Sequence, residues 1–292
     1  MFVPSSLWLA LDYFTYFFSY GIFLPYWGAW LKGEGHDVAT VGMLLSVGLV
    51  ARFIGSLFIT PLFKDPSRLI FALRLMALCA FLFALAFYFG SHWLWLFFVM
   101  AGFNLFFSPM IPLGDSLAAT WQKQFPMDYG SIRVWGSVAF IIATSVTGIL
   151  MDIWKHEVIL AALVVSTGTL LLTSLLRPRI MPSGEMKQRG PQVKFSVLLK
   201  DSAVVRFLLC VSLLQGAHAA YYGFSVITGR RSGIRMLRLA ISGRWAWWRK
   251  LLSLPSVISC SGAGARQTCC CFPVSAVFCA GRCWACRPHC RC

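Results

Sequence analysis

Six ionisable side chains interrupt stretches that are otherwise apolar: Asp12, Arg52, Arg74, Asp115, Arg133 and His218. An ion in such a setting is costly to desolvate, so it faces a cavity, pairs with an opposite charge, or reaches back to an interface. Asp12 and Arg74 lie near the ends of their stretches, where the last option reads them as structural. Arg52 lies deeper. Pairing with Asp115 or Asp12 and a place on a substrate or proton pathway describe it equally well. Asp115 follows Pro109, Pro112 and Gly114, and Arg133 stands in the string Asp128-Tyr129-Gly130-Ser131-Ile132-Arg133-Val134-Trp135-Gly136-Ser137. On adjacent antiparallel helices joined by a short loop, the two could meet face to face. That charge pair could be purely structural, or one that a polar or anionic ligand enters.

Aromatic residues cluster ahead of Gly21 and Pro25: Tyr13, Phe14, Tyr16, Phe17 and Tyr20. They could line a pathway, meet lipid, or pack. Gly42, Gly48, Gly55, Gly136 and Gly148 suit close helix contacts. Residues 1–228 contain no nucleophile triad, metal-ligand set or phosphate-binding loop, so no enzymatic activity, metal or cofactor is expected.

The elements that must position these groups are membrane helices. The chain is 58% hydrophobic and 12% charged, with mean hydropathy +0.72, which excludes a soluble domain. Stretches long enough to cross a hydrocarbon core of roughly 30 Å fall at 6–31, 39–62, 69–90, 92–118, 133–151, 158–176 and 205–227. The first is too long and aromatic for a signal peptide, and lacks a basic leader and a cleavage site. Between the sixth and seventh lies a stretch rich in Pro, Gly, Lys and Arg, which reads as a linker between bundles. With the N-terminus inside, the cytoplasmic loops collect eleven Lys/Arg and the outer loops only Lys32 and Lys155. Basic residues favour the inner side, so the N-terminus is expected in the cytoplasm. Six helices, a basic linker and a seventh helix match half of a 6+6 transporter with the start of its second half.

The net charge of +16 suggests a nucleic-acid partner until it is divided along the chain. Residues 1–228 hold 15 Lys/Arg and 10 Asp/Glu, whereas 229–292 hold 11 Lys/Arg, no acid, and nine of the 11 cysteines. Three readings compete for this tail. Cys283 and Cys286 form a C-x2-C, but Cys290 and Cys292 are a poor second pair for zinc. A disordered basic tail would not be rich in Trp and Cys. The third reading is a frameshift. Thr268 and the three cysteines after it are encoded ACN TGY TGY TGY, and the frame beginning at the third base reads NTG YTG YTG, an aliphatic residue and two leucines. The same shift at 245–249, with a CGN arginine codon, yields glycine, an aliphatic residue, valine and alanine. Both windows become membrane-helix text, so 228–292 is expected to be a non-native tail.

The run 13–31, the motif Gly130-x-x-Arg133-x-x-Gly136, and the strings Phe103-Asn104-Leu105-Phe106-Phe107-Ser108-Pro109, Trp121-Gln122-Lys123-Gln124-Phe125-Pro126 and Gln215-Gly216-Ala217-His218-Ala219-Ala220-Tyr221-Tyr222 resemble the lactose-permease-like proton symporters of the major facilitator superfamily. The resemblance covers about 5–227 and is strongest to the branch that takes aromatic carboxylates such as 3-phenylpropionate. It implies an all-α polytopic fold: a six-helix bundle over 1–176, a cytoplasmic linker over 177–204 and a seventh span over 205–227; it says nothing about the irregular tail. It implies substrate binding by Asp115 and Arg133 with an aromatic at Phe140, and Tyr20 and Phe17 around a substrate ring. Here the acid is Asp rather than Glu and the aromatic is Phe rather than Trp, so the sugar-binding pattern is not kept. Arg133 could instead hold a carboxylate. The loop around Asp65 is a degenerate form of the superfamily signature. His218, Tyr221, Tyr222 and Arg52 are the candidates for proton coupling or the pathway.

The implied function is proton-coupled uptake of a small aromatic carboxylate in a bacterial inner membrane, with this shortened form expected to be inactive because alternating access takes two bundles. The expected partners are the acid, protons and the bilayer, with no nucleic acid, and the chain is expected to be a monomer. A sugar or nucleoside proton symporter, or a nontransporting membrane fragment, are the alternative readings.

Overall fold

A computed structural model describes residues 2–63, 65–183, 202, 204–213 and 216. Six helices are long and apolar enough to cross a membrane: α1 Ser5–Gly33, α2 Val38–Leu62, α3 Pro66–Phe89, α4 Trp93–Gln124, α5 Tyr129–Trp154 and α6 Glu157–Leu175. In hydrocarbon every backbone amide and carbonyl needs an internal partner, and a helix supplies one within the segment. Of the expected seventh span the structure describes a short apolar helix, Val204–Leu213, which is not itself long enough to cross. His218, Tyr221, Tyr222 and the tail lie outside the described residues.

The helix ends follow local chemistry. The Asp37 carboxylate accepts from the amides of Ala39 (3.2 Å) and Thr40 (3.3 Å) at the start of α2. Asp128 accepts from the Gly130 amide at 3.0 Å and from the Ser131 hydroxyl, opening α5. Such caps satisfy amides that have no partner inside the helix. They explain why α5 begins at Tyr129 rather than 133 and places Arg133 a full turn inside. α1 ends at Gly33, and two residues on, Gly35 takes a φ of +94°, which costs little for a residue without Cβ.

Two helices depart from regular geometry at facing positions. After Arg52, α2 passes through a π turn at Gly55–Ile59 and a 3-10 turn at Thr60–Leu62. α4 is interrupted at Ser108 and Pro109, between Trp93–Phe107 and Met110–Gln124. The irregular segments touch: the Ser56 and Ser108 hydroxyls are 2.8 Å apart. A Cβ at Gly55 would lie 2.2 Å from the Leu105 carbonyl oxygen, so only glycine admits this approach. Gly42, by contrast, has nothing within 4 Å of a built Cβ.

α1 is the most enclosed helix and packs mainly against α5 and α6, while α4 packs against α2 and α3. Its buried face meets α3 and α4 through aromatic rings: Trp27 lies 4.6 Å from Phe87 and Phe23 5.0 Å from Phe103, centroid to centroid. Lipid tails are as apolar as these side chains, so van der Waals fit rather than water exclusion holds the helices together.

At the end of the bundle that carries the chain's start, two strands of two residues pair in parallel, Phe2 with Arg177 and Val3 with Pro178. The Ser5 hydroxyl accepts from the Ile180 amide at 2.9 Å. Arg74 reaches from α3 to the C-terminal end of α6, donating from Nε to the Ser174 carbonyl and from Nη2 to the Leu176 carbonyl, both at 2.9 Å. These carbonyls have no intrahelical donor, and a cation suits the negative end of the helix dipole. The structural reading of Arg74 holds, with the carbonyl ends of α6 as its partners.

Candidate functional site

Tyr13, Phe17 and Tyr20 are spaced four and three residues apart on α1, so they form one stripe along the helix. Phe14 and Tyr16 leave that stripe. Phe14 stacks on Phe18 at 6.3 Å, and Tyr16 is buried against Phe107 at 4.4 Å. The charged candidates gather along the stripe in order.

Asp115 of α4 lies at one end. Its Oδ1 accepts from the Tyr13 hydroxyl at 2.6 Å and from the Tyr129 hydroxyl at 2.8 Å. Two donors on one oxygen fix the carboxylate between α1, α4 and α5. Tyr129 was not singled out from the sequence. The available signal was its spacing, four residues before Arg133 on the same helix, which sets both side chains on one face.

Arg133 occupies the middle. Its guanidinium lies 4.3 Å from the centre of the Phe17 ring and 5.1 Å from that of Tyr13. Gly136, one turn further along α5, makes the room: a Cβ there would come within 2.5 Å of Phe17 Cδ2 and 3.0 Å of Arg133 Nη1. The expected face-to-face pair does not form. The acid–base contacts among the described residues are Arg68 with Asp65 and the His156 imidazole with Glu34, both at helix ends. The tyrosines take the place at Asp115 that the arginine was expected to fill, and two ring faces take up the arginine.

Tyr20 closes the stripe. Its ring is 6.0 Å from Phe140 of α5 and carries the Arg52 guanidinium of α2 at 4.7 Å from its centre. Neither Asp115 nor Asp12 pairs with Arg52 among the described residues. Asp12, on the inner face of α1, is 4% exposed, and its Oδ1 has no hydrogen-bond partner among the described residues. It does not reach an interface, against the expectation from its position near the helix end.

From Tyr13 to Tyr20 the helix rises roughly 10 Å, comparable with a phenyl ring bearing a short acid chain. Along that length the site offers a tyrosine-held carboxylate, two guanidinium groups over aromatic faces, and the flat rings of Phe17, Tyr20 and Phe140. No group of three or more metal-ligating side chains occurs among the described residues.

Comparison with known proteins gives this arrangement a context. The chain is 56% identical over 233 residues, 80% of its length, to the "Probable 3-phenylpropionic acid transporter" of Escherichia coli (strain K12). It is 30% identical over 250 residues to the maltose permease of Geobacillus stearothermophilus. It spans 62% of the length of each of these relatives. Its fold matches the crystal structure of the nucleoside transporter NupG with a TM-score of 0.69 at 17% identity, covering 88% of this chain and 68% of that one. Residues 6–241 match the MFS_1 like family. With six membrane-spanning helices in the arrangement of that fold, the chain belongs to the MFS_1 like family of major facilitator membrane proteins.

Proposed function

We propose that the site binds a small aromatic carboxylate, 3-phenylpropionate being the model ligand, and that in a protein of the relatives' full length it serves proton-coupled uptake across a bacterial inner membrane with the N-terminus in the cytoplasm. The observation that carries this reading is the Arg133 guanidinium, held between Phe17 and Tyr13 with no acid in ion-pair contact among the described residues. A carboxylate entering here completes a charge-assisted, bidentate pair, and its ring finds aromatic faces one turn away. The relative that shares 56% of aligned residues, named for 3-phenylpropionic acid, supports the same choice.

The discriminating measurement is equilibrium binding to the purified 292-residue chain in detergent. 3-Phenylpropionate should bind saturably, and 3-phenylpropionamide, which keeps the ring and lacks the charge, should fail to compete. Competition by maltose or a nucleoside at equal strength would favour the sugar or nucleoside reading, to which the maltose permease and the NupG fold lend weight.

Transport is a separate matter. Alternating access takes two bundles rocking about a central site, and the described residues supply one. Cells expressing the 292-residue chain should therefore take up no labelled 3-phenylpropionate above background. Uptake abolished by a protonophore would sink this part of the proposal. For 228–292 we retain the frameshift reading, which the nucleotide sequence around codons 226–230 decides: an indel restoring a membrane-helix frame supports it, and an uninterrupted frame with no such alternative removes it.

A further inference from the structure

We propose that Arg52 is a second anion anchor of the same site, so that its preferred ligands are aromatic acids carrying a second oxygen group at the far end of the ring. The inference rests on the reading of Arg133 as the first carboxylate anchor.

Arg52 lies well inside the 25-residue helix Val38–Leu62. An arginine at the centre of a membrane helix is costly to insert, and a cation over an aromatic face returns only part of that cost. The contact with Tyr20 therefore leaves the charge undercompensated. The other charges near the stripe do not make up the difference. Asp115 is committed to Tyr13 and Tyr129, Asp12 forms no ion pair with Arg52 among the described residues, and Arg133 carries the same sign. Arg74 on α3 is engaged with the end of α6.

The placement matches a ligand with two ends. Arg133 sits against Phe17 and Arg52 against Tyr20, whose rings are 6.3 Å apart, with Phe140 beside Tyr20. A ring lying along this stripe with its acid chain at Arg133 directs its para position toward Arg52. A guanidinium donates best to a carboxylate and less well to a hydroxyl, because bonds to an ionised acceptor are about twice as strong. A π turn begins three residues later, against the break in α4, and such turns are frequent at functional sites.

The test measures binding of 3-phenylpropionate, 3-(4-hydroxyphenyl)propionate and 3-(4-carboxyphenyl)propionate to the purified full chain, unmutated and as Arg52→Gln, Arg52→Lys and Arg133→Gln. On the unmutated chain the carboxy compound should bind at least tenfold tighter than 3-phenylpropionate, with the hydroxy compound between them. Arg52→Gln should collapse this ranking, bringing the three affinities within about threefold of one another whatever its effect on 3-phenylpropionate itself, and Arg52→Lys should keep part of it. Arg133→Gln should weaken all three at least tenfold. Equal affinities on the unmutated chain, or a ranking that survives Arg52→Gln, overturns the role of Arg52 and leaves the carboxylate reading standing. Failure of all three compounds to bind the unmutated chain overturns both. The ranking on the unmutated chain needs no variant, so a poorly folded Arg52→Gln protein does not shield the inference.

Discussion

The Tyr13 hydroxyl on α1 donates to Asp115 Oδ1 on α4 at 2.6 Å, and this bond, rather than an ion pair with Arg133, holds the acid of the site. The Tyr129 hydroxyl donates to the same oxygen at 2.8 Å. Because either tyrosine can orient the carboxylate alone, Tyr13→Phe and Tyr129→Phe should each weaken 3-phenylpropionate binding severalfold, and the double variant by more than the product of the two. Groups that act as one network are not additive. Binding isotherms on the four proteins check this, and strict additivity would show that the tyrosines act independently.

Gly136 makes room for the arginine. Placing a methyl group 2.5 Å from Phe17 Cδ2 and 3.0 Å from Arg133 Nη1 forces one of them to move. Gly136→Ala is therefore expected to lower affinity for 3-phenylpropionate about tenfold, in keeping with the roughly 1–3 kcal/mol cost of overpacking. Membrane insertion should be normal. If affinity were unchanged, the ring contacts of Arg133 would be irrelevant to binding.

Arg74 serves architecture. Arg74→Gln removes the donors to the Ser174 and Leu176 carbonyls and should lower stability in detergent by on the order of 2 kcal/mol. Arg74→Lys should recover part of that, since an ammonium reaches carbonyls without the two-pronged geometry. Ligand affinity of the folded fraction is the control and should not change in either variant.

The helix caps set an acid limit. The Ser131 hydroxyl, and after it the Gly130 amide, hold the Asp128 carboxyl below the ordinary Asp range. A carboxyl lowered on folding stabilises the fold above its unfolded value of about 3.9 and loses that contribution as pH falls through the lowered folded value. Hydrogen bonds from Thr40 and from Ser67 shift Asp37 and Asp65 the same way. Melting temperature in detergent should accordingly drop as pH is taken below about 4, and Asp128→Asn should shrink the drop without abolishing it. A variant whose acid limb matched the unmutated chain would remove Asp128 from this account.

Membrane helices are legible in sequence because the bilayer imposes length and polarity on each one separately. Six of the seven expected spans coincide with helices of the structure, with ends displaced by up to six residues, and the seventh is described only over Val204–Leu213; the displacements fall at the helix ends, where a single side chain such as Asp128 moves the boundary by a turn. The candidate residues Asp115, Arg133, Phe17, Tyr20, Phe140 and Arg52 were nameable for the same local reason: a charge or a run of rings in hydrocarbon is conspicuous alone. Their partners were not. Which oxygen meets which hydroxyl depends on the rotation and depth of α1 against α4 and α5, quantities set by close approaches such as Gly55 on Leu105 and Gly136 on Phe17. Opposite charges invite a pairing of Asp115 with Arg133, and only the packed bundle puts two tyrosines at the acid and two ring faces at the arginine.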